Sequence, residues 1–403
     1  MKAIVVVGAS LAGLRGAEAL RQQGFDGTLT MIGAEPHLPY DRPPLSKEVL
    51  RGTWEPEQAS LVRGDNIDKL ELDLRLGRRA TSLDTGRRRV ELDDGSAVSY
   101  DGLLIATGAT PRRLPGTDGM EGVHTLRTLD DCLAIRAGLE RGPRVAVVGA
   151  GFIGAEVAAT CRQRGLDVTM IEMLPVPLEP AVGADVGEAL AAVHRDEGVD
   201  LRLGVGVDAI EGDGRVEAVR LSDGSRVEAD LVVVGVGVAP ETGWLEGSGV
   251  KVDDGVACDA RCATSVPGVV AAGDVASWHN RTFDETMRVE HWSNAAEQAR
   301  AATSTLLAGD GGGDPFESVP FFWSDQYDLK IQSAGRLAGA DASRIVSGSL
   351  ETRRFLKLYG RGGRLVGALA VNEPRRLMVM RRQIRALPDF DEAVAAASDD
   401  GSA

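Results

Sequence analysis

Two glycine-rich turns have the spacing from which chemistry can first be inferred. The first lies in AIVVVGASLAGLRGAEAL, where Gly8, Ser10 and Gly13 occupy the three positions of a G-x-G-x-x-G fingerprint. The second lies in VAVVGAGFIGAEVAA, where Gly149, Gly151 and Gly154 fill it completely. In each, an apolar run leads into the turn, a helical pattern leaves it, and a further apolar run ends near an acid, Glu35 or Glu172. Glycine gives access here. The first makes the tight turn, the middle one lets backbone approach a pyrophosphate, and the third lets the helix pack closely on its strand. The helix start then aims its amides and the positive end of its dipole at the phosphates. Leu11 and Ala12 in the first copy, and Phe152 and Ile153 in the second, lie in those helix starts. Ser10 departs from the pattern, but its small side chain still permits close approach. Glu35 and Glu172 are placed to accept hydrogen bonds from an adenosine ribose; at the second site a carboxylate repels a 2′-phosphate and favours NADH over NADPH. Two such units predict two dinucleotides on one chain, and a tightly held FAD with an exchangeable nicotinamide is the simplest pair.

The elements that must position these turns define an α/β fold with two Rossmann-like domains. At 403 residues the chain exceeds what one core usually serves, so two or three domains are expected. An apolar fraction of 43%, a charged fraction of 26% and 50 glycines suit a globular α/β protein with many tight turns. The longest apolar runs are strand-sized, far below the ~20 residues a membrane helix needs, and Met1 to Val7 enters a strand without the features of a secretory signal. A cytoplasmic protein with no membrane partner is expected, acting as a monomer or homodimer. A formal charge of -15 argues against nucleic acid, whose phosphates would be repelled. The charge is uneven, however: Tyr327 to Arg385 holds 13 Arg or Lys against four acids. Beyond the glycine run AGDGGGDP, FFWSDQYDLKIQSAGR and RRFLKLYGRGGRLVGALAVN alternate like antiparallel strands, and EPRRLMVMRRQIRALP reads as a basic helix. A C-terminal α+β domain follows, with a frayed end at SDDGSA. Arg375, Arg376, Arg381 and Arg382 of the basic helix suit an acidic partner.

Further segments carry a family resemblance. PHLPYDRPPLSKEVL follows Glu35, LLIATGATPRR and VVVGVGVAPET close the two units, and GVVAAGDVA precedes VEHWSNAAEQAR. With the two fingerprints, these make nearly the whole chain resemble the FAD-dependent pyridine nucleotide-disulfide oxidoreductases of the ferredoxin reductase type, the group of putidaredoxin reductase and dioxygenase reductase components. The resemblance implies a glutathione reductase-like fold with an added C-terminal domain. It places FAD in the first unit and NADH in the second, with electrons passing to an acidic iron-sulfur ferredoxin that feeds a monooxygenase or dioxygenase. The implied layout is an FAD-binding domain over 1–108 and 238–312, an NAD-binding domain over 109–237 and a C-terminal interface domain over 313–403.

Residue by residue, the resemblance implies that Gly8, Ser10, Leu11, Ala12, Gly13 and Glu35 hold the adenosine half of FAD, while Arg42 and Lys47 reach the flavin. Ala106, Thr107 and Gly108 match the turn leaving the FAD domain, and Gly273 with Asp274 the turn that binds the ribityl chain. Glu290, His291 and Trp292 of VEHW, together with Trp323, match flavin-facing segments. His291 reads there as structural, since hydride transfer to flavin requires no protein acid. For NADH the implied set is Gly149, Gly151, Phe152, Ile153, Gly154, Glu156, Glu172 and Gly237. Glu156, in the first turn of the second helix, matches an acid that pairs with the lysine at the position of Lys47. Such a buried pair is costly to desolvate, so positioning nicotinamide is the better account of it than stability. Lys47, Glu156 and Trp292 are thus the residues implied for catalysis, the indole gating nicotinamide or shielding reduced flavin. Pro43 and Pro44 stiffen the loop that presents Lys47.

What is missing narrows the reaction. Disulfide reductases of this fold carry a redox cysteine pair just after the FAD acid, where this chain has PYDRPPLSKEVL. The four cysteines, Cys132, Cys161, Cys258 and Cys262, match neither a disulfide framework nor a metal motif. Reduced structural thiols and no metal are expected, and electrons must leave the flavin directly for a one-electron acceptor such as a two-iron two-sulfur ferredoxin. Other readings share the motifs: an NADH oxidase, a rubredoxin or nitrite reductase component, or, from another class, an NADH-sensing flavoprotein whose assembly state responds to nucleotide.

Overall fold

The structure is a computed structural model and describes residues 1–399; most of the expected frayed end, residues 400–403, lies outside the described residues. Contacts divide the chain into two compact units. The first comprises Met1–Asp41, Ser60–Thr110 and Ala239–Phe322; the second comprises Arg42–Ala59, Pro111–Val238 and the chain from Trp323 onward.

The first unit is built on a five-stranded sheet in the order Val269–Ala271, Gly102–Ile105, Ala3–Val7, Thr28–Gly33, Leu72–Leu76. All pairs are parallel, with Val7 level with both Ile32 and Ile105, and Ile105 level with Ala271. A parallel sheet is covered on both faces, which is why Ile4, Val5, Val6 and Val7 are all buried rather than alternating. Helix Leu11–Gln22 lies very close to this sheet: a Cβ at Gly16 would fall 2.4 Å from Leu104 Cδ2. An antiparallel meander, Ala80–Asp84, Arg89–Leu92 and Ala97–Ser99, is appended, and its Leu83, Val90 and Leu92 share a core with Val5, Val7 and Ile105.

The second unit repeats the plan. Its parallel sheet runs Asp200–Leu203, Val168–Glu172, Val145–Val148, Leu231–Val234, Val123–Thr125, with helix Phe152–Gln163 and a meander of Val207–Glu211, Ala218–Leu221 and Arg226–Glu228. An antiparallel sheet, all of it in this unit except Phe321 and Phe322, runs in the order Phe321–Gln326, Leu329–Gly335, Arg364–Val371, Arg354–Arg361, Ala342–Ser349, followed by helices Pro374–Ile384 and Phe390–Asp399. This is the expected C-terminal α+β arrangement, with one strand more than the alternating segments indicated. Ala342–Ser349 has a register break between Ile345 and Ser347 that disturbs its period-two pattern. Helix Ala184–Asp196 and the short helix Glu179–Val182 before it join this sheet to the unit: Lys357 Nζ donates to Asp185 Oδ1 at 2.7 Å, the Tyr359 hydroxyl donates to the Val182 carbonyl at 2.7 Å, and Val186 and Leu190 share a core with Ile331 and Phe355.

The segment Arg42–Ala59 is short and tightly tied. Pro43 and Pro44 start a single 3-10 turn, Pro43–Ser46, and helix Glu48–Arg51 follows. The Leu45 carbonyl accepts from Cys132 Sγ at 3.1 Å and the Ser46 carbonyl from Thr160 Oγ1 at 2.7 Å, so the backbone before Lys47 is held at two successive residues.

Candidate active site

In the first unit a phosphate-binding turn follows directly from its glycines. Gly8 has φ +121°, and a Cβ there would lie 2.0 Å from the Ala106 carbonyl oxygen. A Cβ at Gly13 would lie 1.8 Å from the Gly8 carbonyl oxygen. Ser10 is the N-cap of helix Leu11–Gln22, but its hydroxyl makes no capping bond, so the amide end near Leu11 and Ala12 is not closed by that side chain. Gly8, Ala106 and Gly273 each follow the carboxyl end of one of three adjacent parallel strands, the crevice where such sheets bind ligands. The Gly273 amide donates to Gln298 Oε1 at 2.9 Å, and a Cβ on Gly273 would come within 3.1 Å of Ala12, which brings the Gly273–Asp274 turn against the fingerprint helix. Thr107 Oγ1 donates to the Glu241 carbonyl at 2.8 Å, just before the left-handed Gly108. Glu35, past the end of Thr28–Gly33, accepts from the Tyr40 hydroxyl.

Trp292 opens helix Trp292–Ala308 with His291 as its N-cap, and its indole N–H donates to Asp41 Oδ1 at 2.5 Å. Glu290 is exposed and its carboxylate pairs with Arg288 Nη1 at 2.5 Å; the same nitrogen donates to the Asp274 carbonyl at 3.2 Å.

The second unit shows the same cradle in complete form. A Cβ at Gly149 would lie 2.4 Å from the Gly235 carbonyl oxygen and one at Gly154 2.0 Å from the Gly149 carbonyl oxygen, so both glycines are required by the protein itself. Gly151, the N-cap of Phe152–Gln163, differs: a Cβ there would meet nothing nearer than 4.0 Å. The fold does not demand glycine at that point, whereas a pyrophosphate lying on the helix start would. Gly237, at φ +94°, is likewise open. Glu172 is held by one amide on each oxygen, Ala150 N at 2.7 Å on Oε2 and Leu174 N at 2.9 Å on Oε1. Ile153, in the first turn of the cradle helix, and Met173, next to Glu172 in the chain, are large apolar side chains left exposed at 46% and 72%.

The same unit buries a charged pair. Lys47 and Glu156 are exposed by only 7% and 3%, with Lys47 Nζ donating to Glu156 Oε2 at 2.8 Å. The Ser46 hydroxyl also donates to Oε2, and the Ser324 hydroxyl donates to Oε1 at 2.7 Å. The helix begins at Phe152, so Glu156 opens its second turn rather than lying in the first, and it faces inward. Ser46, Thr160 and Ser324 escaped the sequence reading; Ser324 follows Trp323 in a strand, and only alternation would have placed the two on opposite faces. Trp323 is half-buried, and Arg42 donates to the Arg127 carbonyl.

None of the four cysteines is in a disulfide. Burial pushes the Cys132, Cys161 and Cys258 thiols up to about 12, and Cys262 well above its ordinary value, so no thiolate is offered as a redox relay. Among the described residues no cluster of three or more His, Cys, Asp or Glu could hold a metal, and no helix is long and apolar enough to cross a membrane.

The family model described as pyridine nucleotide-disulphide oxidoreductase matches residues 2–299, covering both cradles, and the one described as reductase C-terminal matches residues 321–400. The chain belongs to the pyridine nucleotide-disulphide oxidoreductase family. This reductase is similar to rhodocoxin reductase of Rhodococcus erythropolis, 38% identical over 94% of the chain and 88% of the relative. It is also similar to the ferredoxin--NAD(+) reductase component of the anthranilate 1,2-dioxygenase system of Burkholderia cepacia, 40% identical over 96% and 95%. Among solved structures it resembles the covalent putidaredoxin reductase-putidaredoxin complex, with a TM-score of 0.91 at 34% identity over 99% of each chain. The two cradles fit FAD and NADH, the cofactors of such an oxidoreductase.

Proposed function

We propose that this reductase takes a hydride from NADH at its second cradle and passes the electrons singly to an acidic two-iron two-sulfur ferredoxin serving an oxygenase. The observation that carries this reading is the coexistence of two dinucleotide cradles with four cysteines of which none is paired in a disulfide, so the chain presents no redox cysteine pair beside them. Similarity to reductase components named for ferredoxins, over nearly the full length of each, supports it. Bound FAD supplies the exchange between two-electron and one-electron transfer.

The chain's own residues do the rest. Glu172 receives the ribose diol, and the open Gly151 admits the pyrophosphate. The Lys47–Glu156 pair positions the nicotinamide, and the Asp41 carboxylate fixes the Trp292 indole as a shield over the reduced cofactor. Gly8, Ser10, Gly13, Glu35 and Asp274 hold FAD, in a domain of 1–108 and 238–312; residues 109–237 hold NADH and 313–403 form the interface domain. Arg375 and Arg382, both exposed, meet the acidic partner. Turnover is placed in the cytoplasm.

Anaerobic titration of the yellow protein with NADH, followed by cytochrome c with and without candidate ferredoxins, tests the proposal. Ferredoxin-dependent cytochrome c reduction is the expected result. Rapid bleaching with no ferredoxin effect, followed by full NADH turnover once air is admitted, would move the assignment to an oxidase, and sluggish bleaching to a nucleotide sensor.

A further inference from the structure

The Ser324 hydroxyl that donates to Glu156 does not act alone. Gln326, two residues along the same strand and on the same face, donates its amide N–H to Ser324 Oγ at 3.2 Å. Its carbonyl oxygen lies 3.1 Å from His194 Nε2 in helix Ala184–Asp196, and His194 Nδ1 lies 2.9 Å from the Tyr327 hydroxyl. With the Gln326 nitrogen committed to Ser324, its oxygen must accept, so His194 carries its proton on Nε2 and Nδ1 accepts from Tyr327. Burial holds the ring neutral, its pKa lowered to about 4. Every proton in the chain therefore points the same way, from Tyr327 through His194, Gln326 and Ser324 onto one oxygen of Glu156, while Ser46 and Lys47 donate to the other. Hydrogen bonds aligned in one direction polarise one another. A buried polar network of this size is not the cheapest way to fill a core, where apolar side chains do as well or better. What it does achieve is a carboxylate with a single permitted orientation.

We propose that Ser324, Gln326 and His194 are positioning residues for hydride transfer: they fix the Glu156 carboxylate, and through it the Lys47 ammonium, in the orientation that holds nicotinamide for reaction. The inference rests on the reading above that the Lys47–Glu156 pair serves NADH. It assigns a role in the chemistry to the reductase C-terminal segment, since Ser324 and Gln326 both belong to it. Removing Ser324 Oγ frees one carboxylate oxygen, lets Glu156 turn, and loosens Lys47 without touching either glycine cradle.

The test uses the FAD-loaded protein and the variants Ser324→Ala, Ser324→Thr and Gln326→Leu, with Lys357→Met as control. That control breaks a different, part-buried tie of the same sheet, the 2.6 Å Lys357–Asp185 pair. Stopped-flow bleaching by NADH should show a limiting rate at least tenfold lower in Ser324→Ala and Gln326→Leu, an unchanged NADH dissociation constant, recovery in Ser324→Thr, and wild-type behaviour in Lys357→Met. Independently of activity, brief acetic anhydride labelling read by mass spectrometry should acetylate Lys47 at least fivefold faster in Ser324→Ala, with Lys357 as the unchanged internal reference. If Gln326→Leu does not accumulate, the Ser324 pair decides alone. Variants that melt earlier but bleach and label like wild type make the chain a merely structural network and overturn the proposal. Wild-type flavin that NADH fails to bleach overturns the functional reading and this inference together, so the two failures are distinct.

Discussion

Replacing Glu172 by glutamine tests nucleotide choice with a nearly isosteric change. In the native site each carboxylate oxygen accepts one amide, from Ala150 at 2.7 Å and Leu174 at 2.9 Å. Glutamine keeps one acceptor and turns an N–H₂ toward the other amide, so one charge-assisted bond is lost, at about 1.5–3 kcal/mol. Part of that loss appears as a looser Ala150 turn and weaker NADH binding. The larger effect is electrostatic. A 2′-phosphate about 4 Å from the carboxylate feels a repulsion of about 4 kcal/mol per unit charge at an effective dielectric constant near 20. Glu172 is only half-buried, so solvent reduces this to about 2–3 kcal/mol. At about 1.4 kcal/mol per factor of ten, the ratio of kcat/KM for NADH over NADPH should fall about a hundredfold in Glu172→Gln, mostly through a lower KM for NADPH. Steady-state ferricyanide reduction with each nucleotide measures it without any ferredoxin. A ratio that changes less than about threefold, in protein with full flavin content, would show that the carboxylate does not face the ribose.

The two kinds of cradle glycine should separate cleanly: Gly154→Ala drives a methyl to 2.0 Å from the Gly149 carbonyl and should fail to accumulate as soluble protein. Gly151→Ala meets no protein atom nearer than 4.0 Å, so it should fold normally while NADH affinity drops at least tenfold by calorimetry. His194 sets a pH limit on stability, because its folded pKa of about 4 lies below its ordinary value of 6.5. Its contribution is complete above pH 6.5 and is lost as pH falls toward 4, a decline of about 3 kcal/mol that His194→Gln should flatten in denaturant titrations across that window. Charge reversal at Arg375 and Arg382 should raise the ferredoxin KM at least tenfold and weaken its salt dependence, with NADH–ferricyanide activity unchanged; loss of both activities would count against a docking role.

Both nucleotide units could be read from the chain because their glycines answer to strict geometry. Gly8, Gly13, Gly149 and Gly154 lie where any side chain would collide with backbone, and such positions recur at fixed spacing. The C-terminal sheet was legible for a different reason, since the strand-sized, largely apolar runs Arg354–Arg361 and Arg364–Val371 flank a Gly-Gly turn, although both are buried along nearly their whole length rather than alternating. The Lys47–Glu156 pair spans 109 positions and no local pattern joins its members; only family resemblance brought them together. The relay behind it was invisible by any route open to a single sequence. Ser324 lies 168 positions from Glu156, and a serine or glutamine in an alternating strand looks the same whether it faces water or a buried carboxylate. The helix start at Phe152 agrees with its glycine turn, but Glu156 was read one turn too early: as the fifth helical residue it opens the second turn.

Each compact unit is stitched from three separate stretches of chain. This shapes how the protein is born. The strand Val269–Ala271, an edge of the first parallel sheet, is synthesised only after the whole second parallel sheet, and the second unit in turn waits for the strands that end at Val371. Neither unit can finish while the ribosome is still making the middle of the chain, so the usual order of one domain folding before the next emerges is closed to it. Assembly depends on closing long loops late, a slow route that leaves strand edges open for capture by other chains. Overproduction should therefore be limited by nascent-chain aggregation and relieved by slower synthesis or added chaperones. Truncation at any single boundary should yield insoluble fragments rather than half a reductase.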